Sequence, residues 1–192
     1  MPLPEPAPRE HIHTRTIECT GFRRADGLWD IDGRLTDTKT YAFSNRWRGE
    51  LAPGEPVHDM RIRLTIDDDM VIRAVAATTE ASPFEICPEV APRLEVLAGE
   101  RVGEGWSRTV RRLVGGSRGC THLTELLGRM ATAAYQTIWP LRASEAERRG
   151  VPAQSEPPRR LVDSCHAWRS DGPVMAELYP DYAPSKPRAA GD

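Results

Sequence analysis

His58-Asp59-Met60-Arg61-Ile62-Arg63-Leu64-Thr65-Ile66, followed by Asp67-Asp68-Asp69, decides the fold. Met60, Ile62, Leu64 and Ile66 alternate with Arg61, Arg63 and Thr65, the period-two pattern of a strand with one apolar and one polar face. The aspartates read as a turn rather than a metal site, and Met70 to Thr78 returns as an antiparallel partner. At about 3.3 Å per residue, His58 stands some 25 to 30 Å from that turn, at the opposite end of the sheet. Upstream, Pro53-Gly54-Glu55-Pro56 is a turn.

Working outward, Thr14 to Arg23 suits a strand, and Ala25-Asp26-Gly27 signals a hairpin into Leu28 to Leu35. This gives a hairpin over residues 14–41. Asp26, Asp30, Asp32 and Asp37 lack the closing glutamate of a calcium loop and read as a solvated strand face. Cys19, within the first strand, reads as a small core hydrophobe. Downstream, Val90, Leu94, Val96 and Leu97 predict a helix over about 85–98 that stops at Gly99, with Pro88 and Pro92 confining or bending its start. Gly105 to Val114 reads as a short helix. Leu123, Leu126, Leu127, Met130, Ala134 and Ile138 recur at spacings of three and four, placing an amphipathic helix over about 120–139. Arg142 to Arg160 is charged and proline-rich, a linker or excursion. Leu161 to Trp168 and Pro173 to Leu178 read as a second hairpin, at 161–178.

The expected architecture is therefore α+β: an antiparallel sheet with two or three helices on one face, the strands at 58–78 forming its centre. Residues 1–13 form a proline-rich disordered arm carrying His11 and His13, 14–182 a single domain, and 183–192 a loose tail. With 192 residues and 39% hydrophobic content, one ordinary core is expected. A net charge of -2 gives no electrostatic reason for nucleic acid. No stretch approaches the roughly 20 apolar residues of a membrane span, and the first residues carry no apolar leader. The four cysteines are widely spaced and read as reduced thiols of a cytoplasmic protein. A small-molecule substrate is the expected partner, and a homodimer is left open.

The chemistry gathers at Gly115-Gly116-Ser117-Arg118-Gly119-Cys120-Thr121-His122. Cys120 and His122 open the long helix, where unpaired N–H groups and the helix dipole favour a thiolate. Cys87 lies at another helix start and His58 at a strand end, so His58, Cys87, Cys120 and His122 form a candidate metal shell, although no CxxC spacing marks it. Arg108, Arg111 and Arg112, with Arg118 nearby, read first as an ordinary solvated face and otherwise, with Arg118, as a candidate anchor for an anion. Cys165 and His166, as strand neighbours, cannot both face one site.

Gly54-Glu55-Pro56-Val57-His58-Asp59-Met60 with its hairpin, the cysteine-bearing helix ending Leu97-Ala98-Gly99-Glu100, and Cys120-Thr121-His122-Leu123 resemble the iron–sulfur cluster assembly scaffolds of the NifU/IscU type over residues 54–139. That resemblance implies a scaffold-like core in which Cys87 matches the middle cysteine and Cys120 with His122 the last-helix pair. His58 falls where the family has aspartate, and Pro56 where it has its first cysteine. Two thiols and two imidazoles suit one zinc or iron ion better than a cluster. Arg24-Ala25-Asp26-Gly27, Pro56 to Met60, Gly119 to Leu123 and Asp163-Ser164-Cys165-His166 resemble a bacterial domain-of-unknown-function family over nearly the whole chain. That likeness brings no activity.

Two functions follow as expectations. The first is a metal-dependent enzyme, of lyase, hydrolase or isomerase type, acting on an anionic small molecule by carbonyl polarisation or water activation. Its zinc or iron would be held by His58, Cys87, Cys120 and His122, with Asp59 as orienter or general base and Arg118 as substrate anchor; a metal-free variant keeps Cys120 as a nucleophile beside His122. The second is a non-catalytic metal-binding or cluster-handling scaffold. Against both stand ordinary buried cysteines and satisfied histidines.

Overall fold

A computed structural model of the chain describes residues 2–151 and 161–182. The expected tail at 183–192 lies outside the described residues. The chain divides into two compact units, Met1–Trp139 and Pro140–Asp192.

The first unit is built on a four-stranded antiparallel sheet in the order β1 (His13–Arg23), β2 (Trp29–Lys39), β5 (Pro56–Ile66), β6 (Ile72–Ala81), with a small hairpin of β3 (Phe43–Asn45) and β4 (Gly49–Leu51) inserted between β2 and β5. The strands of that small hairpin, of three residues each, are too short to show a period in the sequence. The β1–β2 turn falls at the expected Asp26-Gly27, where Asp26 accepts the Leu28 N–H at 3.2 Å and Gly27 takes φ 87°. In the β5–β6 turn Asp67 accepts the N–H groups of Asp69 and Val71, each at 2.9 Å, and the Arg73 Nε–H at 2.8 Å. The aspartate run thus has the turn role its composition suggested.

One face of the sheet carries the core. Trp29, Ile31 and Leu35 of β2 and Met60, Ile62, Leu64 and Ile66 of β5 are all buried, as the alternation required. Each large side chain removed from water contributes about 1.5–3 kcal/mol. They join the buried Leu94 and Leu97 of a 3₁₀ segment (Cys87–Leu97), Trp106, Val110 and Val114 of α1 (Trp106–Val114), and Leu123, Leu126, Leu127, Met130, Ala134 and Ile138 of α2 (Thr121–Arg148) in one cluster. Among the described residues the fold is α+β, with a four-stranded antiparallel sheet, a two-stranded one and three α-helices.

Gly33 and Gly21, on the inward face, fix where α2 lies. A Cβ on Gly33 would come within 2.6 Å of Met130 Sδ, and one on Gly21 within 2.6 Å of Thr137 Cβ. At both positions a side chain of α2 occupies the space a Cβ would take, so glycine lets the helix side chain pack directly on the strand backbone. The Trp106 Nε1–H donates to the Leu127 carbonyl at 3.0 Å, tying α1 to α2.

Three expectations need correction. Residues 87–97 are 3₁₀ rather than α-helical, because Pro92, inside the segment, lacks the N–H that an α-helix would bond to the Pro88 carbonyl. The long helix passes Pro140 and continues to Arg148, into the stretch taken for a linker; 152–160 lie outside the described residues. In the second unit, 161–178 is not a hairpin: Leu161 to Asp171 runs through turns and bends, and Pro173–Leu178 forms α3. Pro173 at the first helical turn and the helix-forming Met175, Ala176, Glu177 and Leu178 outweigh a short apolar alternation. Among the described residues no helix is long and apolar enough to cross a membrane.

Candidate metal centre

The inward face of the sheet ends in a polar row. Register pairs Ile17 with Leu35 and Leu35 with Met60; two residues on, it pairs Arg15 with Asp37 and Asp37 with His58. Alternation therefore turns Arg15, Asp37 and His58 to the same face as the core, at its edge. His13, two residues before Arg15, shares that face, and the first turn of α2 brings His122 and Glu125 over it.

Asp37 is the centre of this group and is 3% exposed. Its Oδ1 accepts from His13 Nε2–H at 2.8 Å and from Arg15 Nε–H at 2.9 Å. Its Oδ2 accepts from Arg15 Nη2–H at 2.8 Å and His58 Nδ1–H at 3.0 Å, and lies 3.9 Å from His122 Nε2. The imidazoles of His58 and His122 face each other, with ring centroids 3.9 Å apart. Arg15 also donates from Nη1 to Glu125 at 2.7 Å.

Burial raises the Asp37 carboxyl's pKa, but the hydrogen bonds from Arg15 and His13 outweigh it and hold the group at about 2. His58 is pushed below the ordinary histidine value, first by burial and then by the neighbouring His122, despite the opposing pull of Asp37. His122 is pushed the same way, by burial and then by the Arg15 charge. The centre thus joins an ionised carboxylate to two imidazoles favoured in their neutral form, the protonation states a metal ion needs.

Asp37, His58 and His122 each offer a ligand atom within 4.8 Å of the other two, and they could hold a metal ion. Ligand atoms about 2.1 Å from one ion are about 3.0–3.5 Å apart, so His122 Nε2, 3.9 Å from Asp37 Oδ2, has to move closer for coordination. Among the described residues no other such group of three occurs.

The candidate residues read from the sequence separate. His58 and His122 come together. Cys120, immediately before α2, sits beside them with Sγ 3.7 Å from His122 Nδ1 and 3.9 Å from Met60 Sδ. Cys87, half-buried at the start of the 3₁₀ segment, is not in the group. Asp59 points to the outer face, because it alternates with His58, and its carboxylate is held by Arg34 at 2.9 and 2.7 Å. That pair holds the Asp59 carboxyl below its usual range. Arg118 donates to the carbonyls of Arg111 at 3.3 Å and Arg112 at 2.9 Å, capping the end of α1 rather than standing free for an anion. Cys165 is exposed in the second unit.

Asp37, Arg15 and His13 were the residues missed. Asp37 was grouped with Asp30 and Asp32 as solvated, yet it continues the inward series Trp29, Ile31, Gly33, Leu35, while Asp30 and Asp32 are of opposite parity. His13, assigned to the arm, is the first residue of β1. A charged residue that keeps the phase of an apolar alternation was the available signal.

Residues 13–136 match the model of a family described as "Protein of unknown function (DUF2889)". This span includes every residue of the centre, from His13 to Glu125. No curated protein matches the chain, and no solved structure does.

Proposed function

The chain belongs to the DUF2889 family of proteins of unknown function, and from its geometry we propose a metal-dependent enzyme that acts on an anionic small molecule. The observation that carries this reading is the buried Asp37 carboxylate with His58 and His122 gathered round it from separate elements. Three protein ligands leave coordination positions open, which is the arrangement of catalytic rather than structural sites. Two imidazoles and one carboxylate suit zinc or ferrous iron. The expected shell is thereby revised: Asp37 replaces Cys87 as a ligand, and Cys120 becomes a neighbour of His122.

When bound, the metal would polarise a carbonyl or lower the pKa of a water, chemistry shared by lyases, hydrolases and isomerases. The chain's own groups supply the rest. His13 donates to Asp37 Oδ1 and keeps Oδ2 turned to the histidines, and Cys120 Sγ accepts from His122 Nδ1–H, keeping Nε2 turned to the carboxylate. The four free cysteines support a reducing, cytoplasmic setting. A donor set with one sulfur at its margin supports a mononuclear ion rather than an iron–sulfur cluster. The net charge of -2 favours a small molecule over nucleic acid.

The test is consumption of a metabolite from a cell extract by the zinc- or iron-loaded protein. Loss of that consumption in His122→Ala, with the fold retained, is the expected result. A loaded protein that consumes nothing would instead support a metal-binding protein without chemistry.

A further inference from the structure

Arg15 makes three charge-assisted hydrogen bonds, to Asp37 Oδ1 at 2.9 Å, to Asp37 Oδ2 at 2.8 Å and to Glu125 at 2.7 Å. Its guanidinium covers the very carboxylate oxygen that faces His58 and His122. A metal ion and this guanidinium need the same lone pairs on Asp37. Arg15 is therefore the cation that balances the carboxylate when no metal is bound, and a metal must loosen its grip. Glu125 holds the other edge of the guanidinium, so Arg15 stays beside the site when Asp37 turns to the ion.

Arg15 against Asp37 and Glu125 gives an excess of one negative charge, which attracts a cation. A divalent ion reverses this to an excess of one positive charge in a half-buried place, and a single anion restores neutrality. A guanidinium released from one carboxylate presents the paired donors that hold another carboxylate bidentately.

We propose that Arg15 is the anion anchor of the metal-loaded site and that the ligand it admits is a singly charged anion, such as a monocarboxylate. Arg15 thus takes the role the sequence suggested for Arg118. This inference rests on the metal reading of Asp37, His58 and His122.

Cobalt-loaded full-length protein tests it, with the visible absorption of the ion as readout, azide as the monoanionic probe and imidazole as a neutral one. In Arg15→Gln we expect cobalt to bind about tenfold tighter, because its competitor is gone, and azide about tenfold weaker. Imidazole affinity should not change, and Arg15→Lys should recover part of the azide binding. Equal azide affinity in wild type and Arg15→Gln, or equal weakening of azide and imidazole, would overturn the anchor while leaving the metal site standing. Failure of the wild type itself to bind cobalt would overturn both.

Discussion

His58 Nδ1 lies 3.0 Å from Asp37 Oδ2, and the two residues are register partners across β2 and β5. A strand register that aligns Leu35 with Met60 necessarily aligns the next inward pair, so the pairing that builds the core also assembles the polar centre at its edge.

Replacing Asp37 should be costly. Asp37→Asn keeps the shape but removes the charge that Arg15 and His58 are arranged around, and we expect about 2–3 kcal/mol of lost stability. Urea denaturation at neutral pH measures it. A change below about 0.5 kcal/mol would mean that these hydrogen bonds are not made in solution.

The two cysteines should part company. Cys87→Ser should leave metal affinity unchanged, because Cys87 is outside the ligand group. Cys120→Ala should weaken it about tenfold by freeing the His122 ring to rotate, and Cys120→Ser should weaken it less. Metal titrations of the three variants compare them. Equal weakening by Cys87→Ser and Cys120→Ala would restore the two-thiol shell.

Much of this fold was legible from local pattern. The alternation of Met60 to Ile66 and the three-and-four spacing of Leu123 to Ile138 are burial signals that neighbouring residues determine. The centre was half legible. His58 and His122 stood out as ligand types at element ends, but element ends do not fix distance, and Cys87 shared that description without coming near. Asp37 was hidden because its meaning depends on strand parity together with a partner 21 residues away. The short α3 was misread because six residues can satisfy either period, and Pro173 decides between them.

Glycine at the helix–sheet crossing gives a steric prediction. Gly21→Ala should destabilise more than Gly33→Ala, since the first meets Thr137 Cβ at 2.6 Å while the second meets Met130 Sδ, also at 2.6 Å, on a flexible side chain. We expect about 2–3 kcal/mol against about 1 kcal/mol. Thermal unfolding of both variants checks the order, and the reverse order would misplace α2 on the sheet.

The β5–β6 turn contributes a pH dependence of its own. Burial raises the Asp67 carboxyl's pKa, but the Val71 N–H, Arg73 and the Asp69 N–H outweigh it, so the folded pKa lies below the unfolded one. The stabilisation is therefore fully present above about pH 4 and is lost as pH falls through the folded value. Asp67→Asn should be less stable by about 1 kcal/mol at pH 7, with the gap closing on acidification. Denaturation midpoints of both proteins at pH 7 and pH 3 test this; a gap that widens in acid has the wrong sign.

Metal stoichiometry tests the central claim most directly. Purified protein, stripped and then titrated with zinc or ferrous iron, should take up one ion per chain. Asp37→Asn, His58→Ala and His122→Ala should each abolish tight uptake, while Cys87→Ser retains it. A wild-type chain with no affinity for either ion, or one whose uptake survives all three ligand substitutions, would contradict a metal centre at Asp37, His58 and His122.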